Sequence, residues 1–502
     1  MTVDLERFRL RRFLDSLPPA ELERVAQPIE LGDVAAVHEG NPKAVWFARA
    51  GGAELAANVA ASRSRLALAF DTTPAHLLAE VLARLDRPQS IIEVKQAPAQ
   101  EVVEHDPDLT ALPVHLQHGY DGAPYISASI DFTRDASRSN VGIRRLMLRG
   151  RREAGVDLNA PSDLRAIYQA AVGRRERLPI AFVVGSHPID HVAAAMRLPG
   201  DELALMAALR GAPLPVVKCV SNELRVPADA EYVLEGYLDE RGYAEAEGPY
   251  GEFLGYYGGV KTNPVFHLTA ITRRKDAIFQ AATISGRMLS RTDTAQLNAL
   301  RAEVSVWRAL ETAVREVVAV YATPSSGGAF NVRVSLRQRV PGEARNAIGA
   351  VFSCLVNVKH VFVVDPDVDV FSDEQMDWAL ATRFQAARDL VVAGGFRAMP
   401  LDPSLRGERT ASKAGFDLTL PFGERGGVES RSPGPPRYEG RRFDSLEAAL
   451  ADGPKFFVEL MTARGSRDRR EIVRELERLR ASARLERDAE GRYVYRPAAA
   501  SR

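Results

Sequence analysis

Cysteine is nearly missing from this chain of 502 residues. Only Cys219 and Cys354 are present, each inside an apolar run. Two cysteines cannot by themselves build a zinc or iron–sulfur centre, and small buried thiols in a reducing compartment are the ordinary reading. Net charge is missing too: 66 Lys plus Arg balance 66 Asp plus Glu. A neutral chain has no global field for nucleic acid or an anionic membrane, so neither is expected as a partner. No apolar stretch approaches about 18 residues, so no membrane-spanning helix is expected. The first residues, Met1 to Arg7, become charged at once without an apolar core segment. A secretory signal is therefore not expected, and a cytoplasmic location is. Dinucleotide and Walker A glycine loops are absent, which leaves NAD and ATP unsupported. None of the nine histidines falls in a zinc-protease spacing.

The chain is too long for one core, because single cores stop growing at roughly 250–300 residues. The hydrophobic fraction of 46% and charged fraction of 26% suit a globular protein. Residues 1–109 read as an N-terminal α/β segment. Helical spacing over 5–17 stops at Pro18-Pro19, strands are predicted at 44–50 and 66–70, and a helix at 74–85 follows the Asp71-Thr72-Thr73 cap signal. Residues 110–315 are richer in strands. Segments 125–134 and 141–149 form a hairpin candidate, with further strands at 180–185, 214–222 and 260–270. Residues 203–210 read as a helix stopped by Gly211, and a linker helix is expected over 295–320. Residues 316–422 alternate again, with a strand at 360–365 and a helix at 374–384. A Gly/Arg/Pro-rich linker occupies 423–455, and 456–502 form a helical tail. In that tail Ser466 is a cap candidate before an Arg-rich helix with apolar Ile472, Leu476 and Leu479. The basic helix and the strand after it could mimic a winged-helix DNA reader. The neutral chain favours the charged face of a packed tail instead.

Chemistry concentrates in Glu247-Gly248-Pro249-Tyr250-Gly251-Glu252-Phe253. Two carboxylates five residues apart share neither a helix face nor a strand face. Gly248-Pro249 forces a turn, so a bent loop must bring them together. Two acids in a partly dry pocket push their pKa values apart, which makes one a proton donor near neutral pH. An ordinary acidic turn remains the alternative on spacing alone. Arg145 stands in a predicted strand beside Arg144, and a buried arginine there needs a carboxylate or phosphate. Glu247 is the natural partner. Asp365-Pro366-Asp367-Val368-Asp369 starts like a calcium loop but lacks its glycine and its closing glutamate, so calcium is not expected.

These segments occur in a telling order: Asn140-Val141-Gly142-Ile143-Arg144-Arg145, Glu231 to Gly236, Glu247 to Glu252, Asp365 to Asp369, Trp378 to Arg383, and Leu401-Asp402-Pro403 with Ser412-Lys413. From about residue 110 to about 420 the chain resembles the UbiD family of decarboxylases. The resemblance implies an α+β and α/β multidomain fold. In that family a split β-barrel holds prenylated FMN and a C-terminal α/β domain mediates oligomerisation, so a homodimer or homohexamer is expected. It implies a lyase acting on an aromatic, heteroaromatic or α,β-unsaturated acid, reversibly and without oxidation, with a flavin prenyltransferase supplying the cofactor. Arg145, Glu247 and Glu252 take the catalytic positions, with Glu252 as the acid. Asn140, Gly142, Ile143, Arg144, Arg145, Glu235 and Lys413 fall to the cofactor. Asn140, Asp163 and Glu235 fall to Mn²⁺ or Mg²⁺, with K⁺ as a further candidate; hard oxygen ligands suit such ions. Phe253 and Thr283 fall to the substrate, and Arg287 and Arg291 could meet a second anionic group.

Asp163 stands where the family pattern has histidine. It or Ser162 could equally cap the helix that follows. That departure supports an alternative reading, a non-catalytic or partner-dependent subunit of a larger carboxylase assembly.

Overall fold

The computed structural model describes residues 4–135, 138–423, 433–482 and 484–496. The stretch 424–432 of the expected linker lies outside them. The chain forms two compact units, residues 1–419 and 420–502.

The first unit is built round a closed barrel. Its strands are β1 (Tyr125–Arg134), β2 (Ser139–Leu148), β3 (Glu153–Val156), β4 (Leu178–Val184), β5 (Tyr232–Leu238) and β6 (Val265–Arg273). The order β5-β4-β1-β2-β3-β6 closes because β5 also pairs with β6, Tyr232 opposite Arg273 through Leu238 opposite Phe266. Alternation on these strands sends one set of side chains inward. Phe182 and Phe266 meet edge-on there, with ring centroids 4.9 Å apart. Ile130, Phe132, Val141 and Val183 belong to a second cluster that includes the helices outside the barrel.

Helix α1 (Asp163–Gly173) begins at Ser162, whose side chain accepts from Arg165 N–H. Helix α2 (Glu202–Arg210) begins at Asp201 and stops at Gly211, where φ is 64°. Helix α3 (Asp293–Ala313) is capped by Thr292 and buries Leu297, Leu300, Val304 and Leu310. It ends before the expected residue 320, because Val314 turns to extended backbone and Val317 already belongs to a strand. That strand, β7 (Val317–Ala322), opens a five-stranded sheet with β8 (Asn331–Leu336), β9 (His360–Val364), β10 (Leu390–Arg397) and β11 (Thr410–Asp417), in the order β7-β8-β9-β11-β10.

The N-terminal part contributes a four-stranded sheet that includes Ala44–Ala50. The expected strand at 66–70 is instead the helix Arg63–Ala69. Ser62 caps it by accepting from Arg65 N–H, and its alanines carry no β preference. No helix among the described residues is long and apolar enough to cross a membrane.

The second unit has its own core. Helices α4 (Leu446–Ala451), α5 (Phe457–Arg464) and α6 (Arg469–Ser482) pack through Leu450, Leu460, Ile472, Leu476 and Leu479. A hairpin of β12 (Arg484–Arg487) and β13 (Tyr493–Arg496) completes it. Ser466 accepts from Asp468 N–H, and Asp468 in turn accepts from Arg470 N–H, so the cap of α6 is Asp468.

Candidate active site

Glu247 ends the short strand Glu245–Glu247, opposite Lys261. The chain then turns at Gly248, with φ of 102°, and at a cis Gly248–Pro249 bond. Tyr250–Gly251 pairs back with Tyr257–Gly258, and Glu252 follows at the head of the connecting loop. The bent loop thus delivers both carboxylates to one guanidinium. Arg145 Nε lies 3.0 Å from Glu247 Oε1, and Nη1 lies 2.9 Å from Glu252 Oε1. Gly258 makes room for Glu252: a Cβ there would stand 2.7 Å from Glu252 Oε1.

Arg145 has a third acidic partner that no local motif marks. Its Nη2 is 3.2 Å from Asp157 Oδ2, just beyond the end of β3. Asn263 ties the acids together by donating to Glu247 at 3.1 Å and accepting from Leu158 N–H at 3.0 Å. The Tyr250 ring lies under the Arg145 guanidinium at 4.3 Å. Burial works against the charge of Arg145, but Asp157, Glu252 and Glu247 more than reverse this and raise its pKa. Glu252 is raised above the ordinary carboxylate range. Burial dominates, the Arg145 charge opposes it, and the Asp157 charge adds to it. Burial would raise Asp157 as well, yet Arg145 holds it below the ordinary range. The arrangement is a fixed cation, two supporting acids and one carboxyl that keeps its proton more readily than usual. Glu245, the other nearby acid, pairs with Arg149 at 2.6 Å instead.

These groups open into a cavity of about 200 Å³ that Ile143, Arg144, Arg145, Glu252 and Phe253 help to line. Thr283 is not on that wall. Its N–H and hydroxyl both donate to Asp293 at 2.8 Å, and its neighbour Ile284 lines the cavity. Arg291 donates to the Gly40 carbonyl at 2.7 Å.

At the other side of Arg144 lies a polar cradle. Arg144 Nε is 3.3 Å from Asp131 Oδ1, and Asn140 Nδ2 donates to Asp131 Oδ2 at 2.5 Å. Gly142 sits between them: a Cβ there would approach Asp131 Oδ1 to 3.2 Å. Burial, the main cause, lifts the wholly buried Asp131 to about 6. Glu202, in the first turn of α2, accepts from Val141 N–H, which brings it beside Asn140. Burial lifts it to about 7, helped by the Asp131 and Asp163 charges.

Glu235 is not brought to this cradle. Its carboxylate is taken by Val220 N–H at 3.0 Å, Ser221 N–H at 2.7 Å and the Ser221 hydroxyl at 2.8 Å. Strands β4 and β1 separate it from β2. The carboxylate beside Asn140 is that of Glu202, not that of Glu235. Asp163 points to Arg138 at 2.8 Å with its side chain 58% exposed, and Ser162 is the cap. Among the described residues no three His, Cys, Asp or Glu side chains converge as a ready metal centre.

Arg197 lines the cavity with Arg144 and lies within electrostatic reach of Arg301 and Arg397. Arg197 is held below its usual range by partial burial and by the Arg144 and Arg397 charges. Arg301, on α3, is pulled down to about 9 by burial and by Arg197. Its buried Nε has no hydrogen-bond partner. Lys413, on β11, donates to the Phe352 carbonyl at 2.6 Å and is lowered by burial, with Arg397 adding to the effect. No carboxylate pairs with Arg197, Arg301 or Arg397 among the described residues. Arg301 Nε is a buried donor without a partner, whereas Arg197 and Arg397 are exposed, and a multiply charged phosphate would satisfy all three. The donor set therefore fits a flavin phosphate. It fits a divalent ion less fully: Asn140 and Glu202 are in place, and Asp163 is turned away.

Known proteins match this architecture. The 3-octaprenyl-4-hydroxybenzoate carboxy-lyase Rift-related domain matches residues 91–288, and the C-terminal domain of that carboxy-lyase matches 295–418. The anhydromevalonate phosphate decarboxylase of Methanosarcina mazei is 31% identical over 405 residues, covering 80% of this chain and 93% of that protein. The UbiD-class enzyme HmfF from Pelotomaculum thermopropionicum, solved with FMN, has a TM-score of 0.80 at 31% identity. It covers 85% of this chain and 97% of its own. An evolved dimeric form of that enzyme is solved with prFMN, at a TM-score of 0.76 and 29% identity, with the same two coverages. Vanillic acid decarboxylase of Sedimentibacter hydroxybenzoicus, solved in open form with truncated ShVdcD, has a TM-score of 0.78 at 30% identity over 87% of this chain and 97% of its own. With both family domains matched in order across the barrel and the five-stranded sheet, the chain belongs to the UbiD family of carboxy-lyases, which are decarboxylases.

Proposed function

We propose that the protein is a prenylated-FMN-dependent decarboxylase that reversibly removes CO₂ from an aromatic, heteroaromatic or α,β-unsaturated acid without oxidation. The observation that carries this reading is the single buried guanidinium of Arg145 shared by Glu247, Glu252 and Asp157 at a cavity wall. Arg145 orients the substrate carboxylate. Glu247 and Asp157 hold Arg145 in place. Glu252, with its raised pKa, keeps a proton and delivers it to the carbon that CO₂ leaves. Phe253 supplies an apolar wall for a flat substrate. Arg144, Arg197, Arg301 and Lys413 would hold the flavin phosphate, with Ile143 and Gly142 beside the ring system. When bound, the flavin supplies an electron sink for the charge released at the carbon. Asn140 and Glu202 would hold Mn²⁺ or Mg²⁺ at the phosphate, with Asp163 completing the set if its Arg138 pair opens. A homodimer or homohexamer is the assembly in keeping with the family.

The test is co-expression with a flavin prenyltransferase, purification, and a screen of aromatic and acrylic acids for CO₂ release. Turnover by the chain alone supports the reading. Flavin-loaded protein that releases CO₂ only with an added second subunit favours the partner-dependent alternative.

A further inference from the structure

Neither family domain reaches past residue 418, so the second unit is unexplained by the decarboxylase. Its topology is three helices and a hairpin. Helices α5 and α6 are joined by four residues, 465–468, opening with Gly465 at φ 71°. A four-residue turn that opens with glycine is the connection of a helix-turn-helix pair. The segment before α5 joins the hairpin: Lys455 N–H donates to the Tyr493 carbonyl at 3.1 Å, and Tyr493 N–H returns the bond at 2.7 Å. The result is a helix-turn-helix with a two-stranded wing, bridged once to the segment before α5.

Topology alone does not carry function; the charge distribution does. Residues 433–463 hold four Lys or Arg and five Asp or Glu, whereas 464–496 hold eleven Arg and seven Asp or Glu. The neutral total of the whole chain hides this segregation. Helix α6 buries Ile472, Leu476 and Leu479 on one side. Its solvent side shows five arginines, Arg469, Arg470, Arg474, Arg478 and Arg480, against Glu471 and Glu477, with Val473 among them. Arg470 pairs with Asp468 at 2.7 Å. Arg469 and Arg480 make no ion pair among the described residues, and Arg474 reaches Asp468 only at longer range. The wing tip does not share this character, since Asp488 and Glu490 both hold Arg492.

We infer that the 420–502 unit binds double-stranded DNA, with the arginine face of α6 in the major groove. A helix about 10–12 Å across fits a groove about 12 Å wide. Arginines on such a face neutralise phosphates and reach guanine edges. Val473, 53% exposed in the middle of the face, is placed for an apolar base contact.

The test uses the full-length protein and a fluorescein-labelled mixed-sequence duplex of about 30 base pairs, read by anisotropy from about 50 to 200 mM salt. Micromolar binding at low salt that weakens steeply with added salt is expected. The triple variant Arg469→Ala/Arg470→Ala/Arg474→Ala should weaken it on the order of tenfold or more while the melting temperature stays unchanged. No binding at about 50 mM salt up to about 50 μM protein overturns the inference. So does unchanged affinity in a folded triple variant, or tight binding of an RNA hairpin with none of the duplex.

Discussion

Asp157 lies 3.2 Å from Arg145 and is a third carboxylate on a guanidinium already shared by two glutamates. Its charge helps raise Glu252 and helps hold Arg145. It is therefore a positioning residue for the proton donor.

Asp157→Asn should shift the pH profile of turnover. Removing a nearby negative charge stabilises the ionised form of Glu252 and lowers its pKa. Turnover needs the protonated form, so it falls as pH rises through that pKa. In Asp157→Asn this alkaline limb should move to lower pH. A profile identical to that of the unaltered protein would remove Asp157 from this role.

Glu202→Ala should lose metal, and much of the flavin with it, because Glu202 stands beside Asn140 at the cradle. Glu235→Ala should keep both, because its carboxylate is occupied by Val220 and Ser221. Its cost is stability, about 1–3 kcal/mol for losing the charge-assisted hydrogen bonds from Val220 and Ser221. Metal analysis and the flavin absorption spectrum of the two purified variants decide between them.

The contrast between those two glutamates shows what could be read from sequence. Glu247, Glu252 and Arg145 lie in compact motifs, and the turn at Gly248 brings the acids together as the spacing implies. Glu202 lies in the first turn of an unremarkable helix, and only the packing of α2 against β2 makes it part of the site. Asp157 follows a short strand with no motif around it. Arg301 lies in a helix with no motif around it, and only the fold buries its Nε. The barrel was legible only through the family resemblance, because alternation identifies strands and says nothing of β5 pairing with β6.

Arg301→Met should raise the melting temperature of the flavin-free protein. A buried guanidinium with an unpartnered Nε costs stability, and an apolar side chain of similar length removes that cost. The same change should weaken flavin binding by on the order of tenfold or more, because the phosphate loses a buried cation. Thermal melts and a flavin titration read the two effects separately. A lower melting temperature with unchanged flavin affinity would place Arg301 in the scaffold only.

Asp163→Ala should leave folding nearly unchanged, since Ser162 is the cap and the Arg138 pair is exposed. If Asp163 completes the metal set, this variant loses metal and Asp163→His regains it. Equal metal content in all three proteins would exclude Asp163 as a ligand.

The most direct test is Glu252→Gln in the flavin-loaded protein, read by solvent deuterium exchange at the product carbon. The amide keeps the shape and the hydrogen bond to Arg145 but has no proton to deliver. The account expects normal folding and flavin content with exchange reduced by on the order of 10²-fold or more. Exchange near the rate of the unaltered protein would contradict it.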